Sequence, residues 1–220
     1  MTRPIPPELL ARIDAHERWL ETTKREGQEF AQGNMDLRDL DLSGRHLGMS
    51  ILPDARLDRA VLRGTSLSDS NLRGASFVEA VMDCASLVET DAGKANLSGA
   101  SLREVRGVCL ELQEANLQSA DLTSGNFWCA DFSKANLEYT NLSYVNLRQT
   151  YFYEACMARA TLTGASLRDA QLAGAVGLEQ AEVSWIDIGE ENVPQRLEGE
   201  TARCWLLQEA AKPLPEWWKS

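Results

Sequence analysis

Residues 115–124 read Ala115-Asn116-Leu117-Gln118-Ser119-Ala120-Asp121-Leu122-Thr123-Ser124. Two successive units of five carry a small residue, a polar residue and a leucine at matching places. Stepping by five from Leu117 in both directions meets a large apolar residue almost everywhere between Leu37 and Leu172. These 28 centres hold 20 Leu, 4 Phe and 2 Met, with Ala92 and Gly107 as the exceptions, and the register never slips. Two residues before each centre, from Ala55 to Ala175, 16 of 25 positions are Ala, and only Leu110 is larger than Val or Thr.

A helix repeats its buried face every 3.6 residues and a strand every 2. A period of five is neither. A large and a small residue two apart lie on one side of a short extended segment, which leaves three residues for the outside and a turn. Glycine stands two after the centre at Gly44, Gly64, Gly74, Gly99, Gly164 and Gly174. That slot suits a turn residue needing positive φ.

Units such as Ala95-Asn96-Leu97-Ser98-Gly99, Ala120-Asp121-Leu122-Thr123-Ser124 and Ala135-Asn136-Leu137-Glu138-Tyr139 resemble the A-[DN]-L-x-x pattern of pentapeptide-repeat proteins. The resemblance covers roughly residues 35–175. It implies an all-β fold: a right-handed, quadrilateral parallel β-helix with four pentapeptides per coil. Here 28 units give about seven coils with no loop insertion. Residues 20 apart then stack at about 4.8 Å, so the rod is roughly 34 Å long. No coil can bury its Leu/Ala face alone, so stacking makes the core and the ends need covering. The organisation expected is an N-terminal helical cap over 1–34, the β-helix over 35–175, and a C-terminal helical and aromatic cap or dimerisation segment over 176–220.

Two centres lack a large side chain. Phe127 stacks above Gly107, and Leu110 lies beside the level of Ala92. Both are read as volume compensation, the alternative being a local widening with functional meaning.

Residues 7–26 predict a helix with Leu9, Ile13, His16 and Leu20 on one face, begun by Pro7 and stopped by Gly27. His16 reads as a packed or capping residue. After Ala175 the phase is lost at Val176-Gly177-Leu178, and four of the six tryptophans follow: Trp185, Trp205, Trp217 and Trp218. A helix is expected from Pro194 to about Ala211, with Leu197, Cys204, Leu207 and Ala211 on its apolar face. Such aromatics cannot all be loose on a surface. Either the tail folds over the last coil or it builds a homodimer contact through 176–220.

The chain carries 22 basic and 33 acidic residues, net −11. That argues against direct nucleic-acid binding and against anionic membranes. Five cysteines without framework spacing, and no apolar N-terminal run, predict a cytoplasmic protein with free thiols; the segment His16-Glu17-Arg18-Trp19-Leu20 is similar to leaders of bacterial pentapeptide-repeat proteins, and that resemblance implies a bacterial source. No G-x-S-x-G, P-loop, H-E-x-x-H or C-x-x-C pattern occurs. His16 and His46 make a poor metal pair. Cys109 and Cys129 stack as neighbours whose parallel side chains disfavour a disulfide. No enzyme activity, metal or cofactor is expected.

The outer surface is more informative. One after the centre on one face stand Val88, Val108, Trp128, Arg148 and Arg168. Outward apolar residues in a row suggest a contact strip. Tyr139, Tyr144, Tyr151 and Tyr153 fall in the sixth coil, next to Trp128 in the fifth. Tyr and Trp flanked by Arg have the composition of binding hot spots. The competing reading has this belt receive the C-terminal tail. The function expected is a non-enzymatic protein–protein interaction module or scaffold. The alternative comes from the resemblance: some pentapeptide-repeat proteins imitate DNA and protect DNA gyrase or topoisomerase IV from inhibitors. B-DNA would present about 20 negative charges over roughly 34 Å. Residues 35–175 hold 18 acidic and 13 basic residues, net −5, a poor copy.

Overall fold

The computed structural model describes residues 2–190 and 193–219. Its body is a β-helix. Single-residue parallel bridges join residue i to i+20 from Ala31↔Ile51 to Cys156↔Val176. They come every five residues, with a tight turn between each pair. Around each bridge the backbone bonds in both directions. Leu37 N–H donates to Arg56 O at 2.8 Å, and Arg56 N–H donates to Met35 O at 2.8 Å. The stacked coils therefore consume the polar backbone groups that a narrow core would otherwise strand.

Every turn uses the same conformation. All positions two after a centre, from Asp39 to Gly174, have φ between 51° and 79°. Only six of them are glycine. The rest include Met49, Lys94, Cys109 and Tyr139, which pay the steric cost of a left-handed backbone. The turn closes with a bond from the small residue back to the centre, as in Ala120 N–H to Leu117 O at 2.9 Å. Positive φ at the third residue of such a turn is the type II requirement.

All the centres are buried, as are the small residues between them from Ala55 to Ala175. Where the small residue is Ser or Thr, its hydroxyl is satisfied. Thr65, Thr90 and Thr140 donate to the carbonyls of Leu42, Leu67 and Leu117 at 2.7–2.8 Å. The volume compensation at Gly107 is visible. A Cβ built there would sit 2.7 Å from the Phe127 ring, and one at Gly125 would sit 2.5 Å from it. Two glycines thus clear room for one phenylalanine, which packs on Phe132 at 5.7 Å.

Helix α1 spans Pro7–Glu21, shorter than the expected 7–26. Thr22 ends it, and Thr23 and Lys24 take positive φ. Gly27 instead lets the returning chain lie against α1, since a Cβ there would fall 2.1 Å from Ala15 O. Ile13 and His16 are the buried residues of α1. His16 bridges the helix to the first coil. Its Nδ1 accepts from Phe30 N–H at 2.9 Å, so Nε2 carries the proton and donates to Gly48 O at 2.9 Å. Ahead of α1, Arg3 covers the same edge, its N–H on Asp39 O and its Nε on Arg38 O, both at 2.7 Å.

The ladder does not stop at 175. Thr161 pairs with Glu182 and Ser166 with Asp187, a spacing of 21. One extra residue enters at the 3₁₀ turn Leu178–Gln180, and the coil then resumes. The loss of phase in the sequence is a one-residue slip. Strand β1, Trp185–Asp187, pairs antiparallel with β2, Arg196–Glu198, with Ile186 opposite Leu197. Helix α2 is Gly199–Ala210, not 194–211, because residues 196–198 are taken by that pairing. Its buried side chains are Ala202 and Leu206, whereas Cys204 and Leu207 face solvent. The face that packs on the coils is the one of Ala202, Leu206 and Ala210, with Trp205 beside it, and not the expected one of Cys204, Leu207 and Ala211. Ala210 O accepts from Gly174 N–H at 2.9 Å, tying α2 to the coils.

Two predictions follow from this packing. Leu117→Ala, in the middle of the stack, should cost about 2–5 kcal/mol in urea unfolding, because closed coils leave little room for collapse. His16 titrates below its usual 6.5, pushed down first by burial, with the Gly48 bond and the carboxylates of Glu29 and Glu17 acting the other way. The unfolded chain therefore binds the proton more readily. The stabilisation from neutral His16 is full above about pH 6.5 and is lost as pH falls below it. Wild-type protein should lose unfolding free energy between pH 7.5 and 5 more steeply than His16→Gln, which keeps a donor and an acceptor but does not titrate.

Candidate functional site

A stacked position on this β-helix recurs every 20 residues, so an outward column is a row of side chains about 4.8 Å apart. The column one after the centre on the face of Phe127 runs Val88, Val108, Trp128, Arg148 and Arg168. Val88 and Val108 are half-buried, and Trp128 is 40% exposed. The Trp128 backbone is fixed on both sides. Its N–H donates to Asn126 Oδ1 at 3.3 Å, and its carbonyl accepts from Cys109 N–H at 2.9 Å. Asn126 Oδ1 also accepts from Asn146 Nδ2 at 2.8 Å, so the polar row beside the strip is a side-chain ladder.

Above Trp128, Arg148 is held in place. Its Nε donates to Ser166 Oγ at 2.9 Å, and its Nη2 lies 3.6 Å from Asp187 Oδ2. Asp187 is held in turn. Its Oδ1 accepts from the N–H groups of Gly189 and Gln195, both at 2.9 Å. Arg168 lies 3.2 Å from Asp169 and 3.9 Å from Glu190. Between Trp128 and these arginines is a surface groove of about 390 Å³, whose other walls include Val108, Asn146 and Gln149.

Arg148 and Arg168, at the top of the column, meet Asp187 and Glu190 of the C-terminal segment, but its aromatic end does not pack on Trp128 among the described residues. The tail lies on a different face, where Tyr153 meets the rings of Trp217 and Trp218 at 5.7 and 5.1 Å. Tyr151 packs on Tyr153 at 5.8 Å, and Lys134 lies over Trp218 at 5.1 Å. Tyr153 is buried there. Tyr144 meets Trp185 edge-on at 6.2 Å, and Arg196 covers the same indole at 4.3 Å. Tyr139 is half exposed on a further corner, with its hydroxyl accepting from Arg159 at 2.9 Å. The four tyrosines therefore share a coil but not a surface. Consecutive pentapeptides face different sides, which separates residues that are close in sequence. Tyr151 and Tyr153 serve the chain's own tail, and Trp128 keeps the two valines and two arginines as its company.

Ser166, Asp187 and Arg106 were missed. Arg106 is exposed one coil below Asn126, in the column beside the strip. Column arithmetic places Arg106 and Ser166; Asp187 lay hidden behind the one-residue slip. Burial pushes Cys109 up to about 11, and Cys129 adds to the effect. Among the described residues no cluster of His, Cys, Asp and Glu could hold a metal ion. No helix among them is long and apolar enough to cross a membrane.

The profile of the family described as pentapeptide repeats matches this chain in 8 copies, over residues 36–77, 55–91, 85–128, 110–138 and 130–169. Similar solved structures include HetL, a pentapeptide repeat protein involved in heterocyst differentiation regulation from the cyanobacterium Nostoc sp. It is 23% identical, with 77% of this chain and 93% of that one covered and a TM-score of 0.48. QnrB1, a plasmid-mediated fluoroquinolone resistance protein, is 16% identical over 70% of this chain and 81% of its own, with a TM-score of 0.45. A pentapeptide repeat protein of the Arabidopsis thaliana thylakoid lumen is 21% identical over 51% and 65%, with a TM-score of 0.34. No curated protein matches the chain significantly in sequence.

The two aromatic settings should behave differently on truncation. Trp128→Ala removes an uncovered ring and should leave the melting temperature within about 2 °C of wild type, as exposed substitutions do. Tyr153→Ala opens the seat of the tail and should cost about 3 kcal/mol. Calorimetry of both variants checks the contrast.

Proposed function

Since this chain belongs to the pentapeptide-repeat family, we propose that it is a non-enzymatic interaction module, a rigid rod that offers the Val88–Val108–Trp128 strip to a protein partner. The frame assigned to it is the right-handed, four-sided coil over 35–175, with residues 1–34 covering one end and 176–220 the other. The single observation that carries the reading is Trp128. It is a large aromatic, 40% exposed, that stands on the rigid coils themselves with the half-buried Val108 and Val88 in the same column. Burying such a ring gains apolar area at little rotamer cost. The odd, unframed set of five cysteines supports a reducing, cytoplasmic setting.

The DNA-imitating alternative gains no support from the surface charges. Acidic side chains of the coils are met by cations one coil away, as in Arg59 with Asp39, Lys94 with Glu114 and Lys134 with Glu154. Paired charges project little field.

The test is affinity capture from the native host with intact protein, read by mass spectrometry. Trp128→Ala should weaken the main captured complex by about 2 kcal/mol, roughly thirtyfold, with folding intact. Unchanged capture would remove the strip as the main interface. In a supercoiling assay, micromolar protein should give no rescue of DNA gyrase from a quinolone; dose-dependent rescue would restore the alternative.

A further inference from the structure

One rung of the ladder has no partner above it. In the coil that carries Phe152 the upward-facing backbone groups of this corner are all bonded. Gln149 N–H donates to Arg168 O at 2.9 Å, Thr150 O accepts from Gln171 N–H at 2.8 Å, and Phe152 N–H donates to Gln171 O at 2.8 Å. One coil higher the equivalent groups are Asp169 N–H, Ala170 O and Leu172 N–H. None of the three has a hydrogen-bond partner among the described residues. Backbone groups so near a core are ordinarily paired, and an open strand edge is a template for another chain.

The cause is topological. Leu167 N–H still finds Asp187 O at 2.7 Å, but the chain then turns back. Ile188 N–H donates to Gln195 O at 3.0 Å, and β2 returns along β1. No described residue bridges to Gln171 from above, although Gly174 N–H, three residues on, is met by Ala210 O of α2 at 2.9 Å. In place of a further rung there is a hollow of about 930 Å³, floored by Asp169, Ala170 and Gln171 and walled by Ile188, Val193 and Trp205. Val193 is 69% exposed, while Ile188 and Trp205 are packed on the core. The charges at its rim are matched, Arg168 with Asp169 and Glu190, and Lys212 with Glu209, so the hollow favours neither sign.

Unpaired N–H and C=O groups at strand spacing beside apolar walls ask for an extended backbone with an apolar side chain. The rungs below give the pattern of its residues. A single residue bonds both ways, as Gln171 does to Thr150 and Phe152, with a small residue before it and a large apolar one after it. We infer that this hollow binds an extended segment of a partner protein reading small–polar–large apolar, added parallel to Ala170–Leu172 as one more rung. Its polar residue donates to Ala170 O and accepts from Leu172 N–H, and its apolar side chain turns toward Ile188 and Trp205. The site lies beyond Trp128 and does not rest on the strip described above.

The test is amide NMR and hydrogen exchange on isotope-labelled full-length protein. The probe is the blocked peptide Ser-Ala-Asn-Leu-Ser. In free protein the Leu172 amide should exchange at least about tenfold faster than that of Phe152, its bonded equivalent one coil below. The peptide should shift the Asp169 and Leu172 amides, saturating by about 2 mM, and should slow Leu172 exchange. Two altered peptides, one N-methylated at Asn and one with Lys for Leu, should each bind about tenfold more weakly, because the first cannot donate to Ala170 O and the second puts a charge against apolar walls. Trp128→Ala should leave peptide binding unchanged. Leu172 as protected as Phe152 before peptide is added, no shift of Asp169 and Leu172 at 2 mM, or equal binding of either altered peptide would overturn the inference. Peptide binding lost in Trp128→Ala would move the peptide to the strip and discard the open rung.

Discussion

Backbone hydrogen bonds between one coil and the next, 20 residues on, carry everything else in this molecule. They hold only if each pentapeptide turns the chain by the same amount. That demand falls on the residue two after each centre, which takes positive φ at every level from Asp39 to Gly174. Most of those residues are not glycine, so each turn costs something that the stacked bonds and the buried Leu/Ala layers repay together. The asparagine column on one face belongs to the same arrangement. Asn96, Asn116 and Asn136 each cap a backbone N–H of their own turn, and their amides join one another at 3.2–3.3 Å.

A repeating ladder has two open edges, which invite pairing with other chains. Here both are occupied. At the start, Arg3 and His16 meet carbonyls of the first coil. At the far end, a one-residue slip at Leu178–Gln180 lets the ladder continue to Asp187 before β2 and α2 fold across. The slip also shapes the face that carries Trp128. It delivers Asp187 behind Arg148, which a strict 20-residue step would not do.

The β-helix was legible because its period is strict and a core tolerates few residue types. Leu117 and its equivalents could be placed from spacing alone, as could the outward row through Trp128. The ends were not legible in the same way. Helix α2 was expected from Pro194, but β-pairing of Arg196–Glu198 with Trp185–Asp187 depends on tertiary contact that no local pattern encodes. The tyrosines misled because sharing a coil is not sharing a face. Tyr151 and Tyr153 turn to the tail, Tyr144 to Trp185, and Tyr139 to Arg159. Gly107 was legible as compensated by Phe127 because the volume deficit and the volume excess stood one coil apart, whereas the room that Gly125 clears for the same ring shows only in the structure.

The strict 20-residue rise also fixes how such a chain can change length. Removing or duplicating 20 consecutive residues inside the rod leaves every surviving side chain on its original face. Any other internal insertion must bulge out as a loop or rotate all that follows by a fraction of a turn. The slip at Leu178–Gln180 sits near the end of the ladder, where among the described residues only two short strands, one helix and a final 3₁₀ turn remain to be turned. Lineages of this protein would therefore drift in steps of whole coils, with the outward columns acting as independently editable tracks on an unvarying spool.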